Sequence, residues 1–131
     1  MIGLDTNVLV RYLTQDDPVQ ARKATAIVEE AATQGQKLRI HPVVLCELVW
    51  VLETAFDYGR QAVAAILDRI LRTAQFEISD KEITWSALSD YRSGKGDFAD
   101  YVIGRANALG GAAKTVTFDQ ALKGHKQFQV L

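Results

Sequence analysis

Apolar side chains recur along the chain in short blocks that switch between two periods. Ile2-Gly3-Leu4 is a brief apolar run ending at Asp5, after which Val8, Leu9, Tyr12 and Leu13 return at helical spacing. The pattern predicts a buried strand, a tight turn at Asp5-Thr6-Asn7, and a helix that Thr6 or Asn7 can cap. Asp16-Asp17-Pro18 starts a second helix, with acids at its positive end and proline at its first turn. That helix runs through Ala21, Ala24, Ile27, Val28 and Ala31 to a stop at Gly35. Leu38-Arg39-Ile40 is a second strand. Val43 to Tyr58 is helical and apolar almost all round, ending at Gly59.

A further helix from about Gln61 to Ala74 gathers Val63, Ile66, Leu67, Ile70 and Leu71 on one face. Phe76-Glu77-Ile78 is a third strand, and Ser79 or Asp80 caps a helix through Ile83, Leu88 and Tyr91. After the Gly94-Lys95-Gly96 loop, a helix runs from Phe98 to Leu109 and stops at Gly110-Gly111. Thr115-Val116-Thr117 is a fourth strand and Gln129-Val130 a fifth. Strands alternating with helices imply an α/β fold with a parallel sheet of four to five strands, covered by helices on both faces. Ligands of such sheets sit off the carboxyl ends of the strands, which is where Asp5 and Asp119 fall.

At 131 residues the chain is the size of one domain, expected to span 1–131, and its 48% apolar and 24% charged content is ordinary for a globular protein. No apolar run is long enough for a membrane span, and the amino terminus lacks the charged region of a signal peptide. The one cysteine, Cys46, can neither staple the fold nor build a thiolate metal site, and reads as a small buried side chain in a cytoplasmic protein. A net charge of −1 argues against coating nucleic acid by bulk charge. Its distribution is more informative. Residues 91–131 hold Arg92, Lys95, Arg105, Lys114, Lys123 and Lys126 against three acids, Asp97, Asp100 and Asp119. A weakly positive surface beside an acidic pocket suits phosphate binding.

The acids divide by context. Asp5 either caps its helix or serves a site, and Thr6 and Asn7 are equally able to cap. Glu47 stands between Val43-Val44-Leu45-Cys46 and Leu48-Val49-Trp50-Val51-Leu52. A carboxylate set into an apolar surface must be neutralised, paired or bound to a cation, unless it joins Glu53 and Asp57 in a solvent-facing stripe. Asp97 suits the cap of its helix in a capping-box pattern, with Asp100 in the first turn lining the cleft. Asp119, just past the fourth strand, is either a turn residue or a ligand, and Thr117 can add a hydroxyl. Four converging carboxylates would repel one another without a counter-charge. Hard oxygen donors with no histidine or cysteine cluster select Mg²⁺ or Mn²⁺, as one or two ions. His41 and His125 are isolated and read as structural or exposed.

These residues resemble the PIN domain, and in particular the VapC-type toxins of bacterial and archaeal toxin–antitoxin systems. The resemblance rests on Leu4-Asp5-Thr6-Asn7-Val8-Leu9, on Glu47 in the helix after the second strand, on Asp97-Phe98-Ala99-Asp100-Tyr101-Val102-Ile103, and on Thr117-Phe118-Asp119. It implies a three-layer, Rossmann-like parallel sheet flanked by helices and a Mg²⁺- or Mn²⁺-dependent endoribonuclease. It also implies a homodimer and inhibition by a VapB-type antitoxin. Asp5, Glu47, Asp100 and Asp119 match the family's acidic positions, and Asn7 and Thr117 its polar neighbours. Tyr101 stands where a small or aliphatic residue is more usual, which would narrow the cleft. The stretches Val10 to Leu13 and Trp50 to Phe56 are candidates for an antitoxin groove.

Three rivals share parts of this pattern. A haloacid-dehalogenase-like phosphatase also opens with an acid after its first strand, but needs an aspartate two residues on, where this chain has Asn7. A phosphate-accepting receiver domain needs adjacent acids there, and Asp5 stands alone. A non-enzymatic PIN-like binding domain would have no need of all four acids.

Overall fold

The computed structural model describes residues 1–131, which form two compact units, Met1–Ser79 and Asp80–Leu131. The first contains β1 (Ile2–Gly3), α1 (Thr6–Thr14), α2 (Pro18–Gln34), β2 (Leu38–Ile40), α3 (Pro42–Thr54), α4 (Arg60–Arg72) and β3 (Phe76–Ile78). Its strands pair in parallel in the order β1-β2-β3, with Leu38 facing Ile2 on one side and Phe76 on the other. Three-residue strands leave a simple alternation. Leu38, Ile40, Phe76 and Ile78 are buried, and the middle residues Arg39 and Glu77 are exposed side by side. The sheet of this unit is therefore not apolar on both faces, as continuous parallel strands would be. The first strand is also not buried as its sequence suggests: Ile2 is 47% exposed, and only Leu4 beyond it reaches the core.

Helix ends follow the local chemistry. Asp17 caps α2 by accepting from the Gln20 N–H at 3.0 Å, and Pro18 takes the first helical position. Gly35 ends the helix in the left-handed region at φ 66°. His41 caps α3 through Nδ1, which accepts from the Val43 N–H at 3.0 Å, so its role is structural. The helix stops at Thr54, four residues short of the predicted end. The Ala55 and Phe56 N–H groups both turn back to the Val51 carbonyl, and Asp57 takes a left-handed conformation at φ 58°. Apolar content alone does not reveal such a reversal. α1 packs on α2 and α3, and α3 on α4, with Leu9, Leu45, Leu48, Leu52, Val63 and Leu67 fully enclosed.

The second unit contains α5 (Lys81–Ser93), α6 (Phe98–Leu109), β4 (Thr115–Thr117), a 3₁₀ turn (Gln120–Leu122) and β5 (Phe128–Val130). β4 and β5 are parallel, with Thr115 opposite Phe128 and Thr117 opposite Val130. The five expected strands thus exist, hydrogen-bonded as a three-stranded and a two-stranded parallel sheet. Tyr91 and Phe98 meet edge to face at 6.0 Å where α5 packs on α6. Gly104 lets α6 approach Phe128, since a Cβ there would collide with the ring. No helix is long and apolar enough to cross a membrane.

Candidate metal centre

In the carboxyl-terminal unit, Asp97, Asp100 and Asp119 each present a carboxylate oxygen, and these lie within 4.8 Å of one another. The chain brings them together from two directions. The Gly94-Lys95-Gly96 loop delivers Asp97 in extended backbone to the start of α6, and Asp100 follows in the first turn. From the other side, β4 ends at Thr117, whose hydroxyl accepts from the Asp119 N–H at 3.0 Å. Asp119 in turn caps the 3₁₀ turn, accepting from the Ala121 N–H at 2.9 Å.

The division of labour between Asp97 and Asp100 differs from the expected one. Asp97 occupies the cap position, yet its side chain makes no capping hydrogen bond. Only the reciprocal half of a capping box forms, with the Asp97 N–H donating to the Asp100 carboxylate. The Asp97 carboxylate is thereby left to stand with the other two. Burial, then the charges of Asp97 and Asp119, raise the Asp100 carboxyl above its ordinary value despite that hydrogen bond. This is the electrostatic signature of like charges held together. An all-carboxylate donor set with no histidine or cysteine fits a hard divalent cation such as Mg²⁺ or Mn²⁺.

A second charged group in the same unit has no counterpart in the sequence reading. Asp90, at 9% exposure, accepts two hydrogen bonds of 2.7 Å from the Arg105 guanidinium and lies 3.1 Å from His125 Nε2. His125 Nδ1 accepts from the Gln127 N–H, which orients the ring. Burial pushes the Asp90 carboxyl up, but Arg105 and then His125 outweigh it and hold it below the usual range. Arg105 is therefore committed to an internal ion pair and does not belong to a free phosphate-binding surface. Lys114 is likewise tied, donating to the Lys126 carbonyl at 2.7 Å. The readable signal is Asp90 itself, an acid between the core residues Leu88 and Tyr91. Tyr101 also differs from expectation. Its ring is buried against Phe128, and its hydroxyl accepts from the Gly96 N–H at 2.9 Å. It is a core residue, and its hydroxyl is directed at the loop.

In the amino-terminal unit Asp5 itself caps α1, accepting from the Thr6 N–H at 2.8 Å, so neither Thr6 nor Asn7 takes that role. The turn is one residue tighter than expected, and Thr6 is the first helical residue. Its buried hydroxyl donates to Glu47 Oε1 at 3.1 Å, a support for Glu47 that sequence reasoning missed. Glu47 is exposed, as are Val43 and Trp50 on the same helix. Glu47 therefore stands in an apolar surface as expected, but an exposed one, because α3 is not enclosed all round. Burial, then the Glu47 charge, push the Cys46 thiol up to about 11, leaving it a protonated bystander. Of the stretches expected to line a groove, Val10 is buried at 2% exposure, whereas Trp50 is 66% exposed.

The PIN domain family model matches residues 2–126. The chain belongs to the PIN domain family. It is also similar to a VapC ribonuclease of Aquifex aeolicus (strain VF5), at 26% identity over 120 residues, covering 92% of this chain and 88% of that protein. The match to the PIN family takes in both compact units and includes Asp5, Glu47, Asp97, Asp100 and Asp119. In this PIN domain the polar neighbours expected beside the acids have separate positions. Asn7 is exposed on the first turn of α1, and the Thr117 hydroxyl is used to hold the Asp119 backbone.

Proposed function

We propose that this PIN domain is a divalent-metal-dependent endoribonuclease of the VapC type, hydrolysing RNA phosphodiester bonds, and that residues 1–131 act as one domain. The observation that carries the reading is the convergence of the Asp97, Asp100 and Asp119 carboxylates within 4.8 Å, with Asp100 raised by burial and then by its two neighbours. Asp100 and Asp119 are proposed as metal ligands on that geometry, with Asp97 as a further carboxylate beside them. Asp5 and Glu47 join the ligand set because they occupy the family's acidic positions, and Asn7 and Thr117 are supporting residues. One or two Mg²⁺ or Mn²⁺ ions would be held. A cation held there would supply Lewis-acid chemistry, making a water more acidic and offsetting the charge of the phosphate.

The side chains around the ligands serve to hold them. Thr6 orients Glu47 through its hydroxyl, the Asp97 N–H steadies Asp100, and the Ala121 N–H with the Thr117 hydroxyl fixes Asp119. No side chain is required to attack phosphorus. The partners that go with this reading are RNA as substrate, a VapB-type antitoxin as inhibitor, and a second copy of the chain as a homodimer. End-labelled RNA incubated with Mn²⁺ should be cut, and EDTA should abolish cutting. Asp5→Asn and Asp100→Asn should each remove metal-dependent cleavage while circular dichroism stays unchanged. Cleavage by Asp5→Asn at the wild-type rate would overturn the ligand assignment. A phosphomonoesterase activity with no RNA cleavage would point to the dehalogenase-like alternative, and RNA binding with no cleavage to a binding-only PIN domain.

A further inference from the structure

At Gly96 the chain segment that carries Asp97 lies against the one that carries Asp119. Gly96 is buried and immediately precedes Asp97, and its N–H donates to the Tyr101 hydroxyl at 2.9 Å. A Cβ on Gly96 would collide with Leu122 Cδ2 and lie 3.0 Å from the Tyr101 ring. Leu122 closes the 3₁₀ turn that Asp119 caps and is buried at 1% exposure, so a shift of its side chain is taken up inside the core next to that turn. Tyr101 follows Asp100 on α6, is 2% exposed, and is wedged against His125 and Phe128. A Cβ on Gly94 would in turn strike the Tyr101 hydroxyl. The loop therefore lies flush on the Tyr101 ring edge on one side and on Leu122 on the other.

We propose that the Gly96–Tyr101–Leu122 contact is the positioning device that sets the separation of the Asp97, Asp100 and Asp119 carboxylates, and so tunes the affinity of the cluster for a divalent cation. The proposal rests on the metal-dependent reading above. Tyr101 and Leu122 supply no carboxylate; in this proposal they act through the backbone that presents the acids. Groups that hydrogen-bond directly to a metal ligand alter affinity by roughly 10–100-fold, and a support acting through the backbone belongs at the low end, about tenfold.

The test is Mn²⁺ binding to the full chain without RNA, read by electron paramagnetic resonance of the free ion. Wild type should bind Mn²⁺ and Asp100→Asn should not. Gly96→Ala forces either Leu122 or the loop to move, and should weaken binding by about tenfold. Adding Leu122→Ala removes the collision with Leu122 Cδ2 and leaves only the 3.0 Å approach to Tyr101. The double variant should therefore recover most of the affinity, although loss of a buried leucine makes it less stable than Gly96→Ala alone. A role in folding alone predicts the reverse order. Tyr101→Phe, which keeps the ring and removes only the acceptor, should weaken Mn²⁺ binding by a smaller factor. Its RNA cleavage should return to the wild-type kcat at saturating Mn²⁺. Wild-type affinity in both Gly96→Ala and Tyr101→Phe, or no recovery in the double variant, overturns the positioning proposal while leaving the metal reading intact. Wild type that binds Mn²⁺ no better than Asp100→Asn overturns both.

Discussion

Asp100 and Asp90 are two acids of one unit with opposite electrostatic fates, and each makes a prediction. Asp100 is raised by burial and by two neighbouring carboxylates. A carboxyl raised in the folded state favours its protonated form there, so its contribution to stability is present at low pH and is lost as pH rises through the folded value. Without metal at neutral pH, Asp100→Asn should thus raise the melting temperature while abolishing Mn²⁺ binding; a lower melting temperature would contradict the repulsion. Asp90 is the converse case. Its carboxyl is held low by Arg105 and His125, so its contribution is present at neutral pH and is lost as pH falls through the lowered folded value. Arg105→Leu should cost about 2 kcal/mol at pH 7, the penalty for breaking a buried pair discounted for the partial exposure of Arg105. Urea denaturation should show that deficit shrinking as pH drops below the carboxylate range. A deficit independent of pH would mean the guanidinium acts by packing alone.

At the scale of elements, helix ends carry more information than helix middles. Gly110 and Gly111 read in sequence as a joint stop of α6, but their backbones differ. Gly110 has φ −77°, which any residue adopts, and a methyl added there would meet only ordinary contact distances. Gly111 has φ +98°, outside what side chains with a Cβ tolerate. Gly111→Ala should cost about 1 kcal/mol or more, and Gly110→Ala should be near neutral. Equal losses at both positions, measured by thermal denaturation, would show that the turn and not the dihedral sets the requirement. The element boundaries legible in sequence are those marked by specific chemistry: Asp17-Pro18 before α2, Gly35 after it, and Asp119 before the 3₁₀ turn. The end of α3 carries no such mark. Phe56, Asp57 and Tyr58 read as a continuation of the helix, and a backbone reversal at Asp57 decides otherwise.

For the whole molecule, a net charge of −1 means that RNA is not attracted by bulk charge. In the carboxyl-terminal unit Arg105 and Lys114 are occupied by internal partners, while Lys95, Lys123 and Lys126 remain exposed. If those three contact phosphates, the logarithm of RNA affinity should fall with the logarithm of salt concentration at a slope of about −2, the single-strand value for three contacts. Filter binding of the Asp100→Asn variant across a salt series measures it. A slope steeper than about −5 would place the RNA mainly on other cations.

The alternation of strands and helices, the parallel pairing, the family and the short list of acids are all legible in the chain before it folds. They depend on local periodicity and on which residue types occur in which order, and both are written in one dimension. What each acid does is settled only in three. Whether Asp97 caps or stands free depends on how its loop leaves Gly96. Whether Glu47 is buried depends on which sides of α3 have neighbours, and its partner Thr6 lies 41 residues away in sequence. Arg105 reads as a free cation until the fold sets Asp90, 15 residues earlier, against it. Of the four acids, Asp100 and Asp119 rest on proximity in space, and Asp5 and Glu47 rest on their place in the family's pattern. Charge, burial and hydrogen bonding are set by distances in space, which sequence spacing fixes only within a single helix or turn.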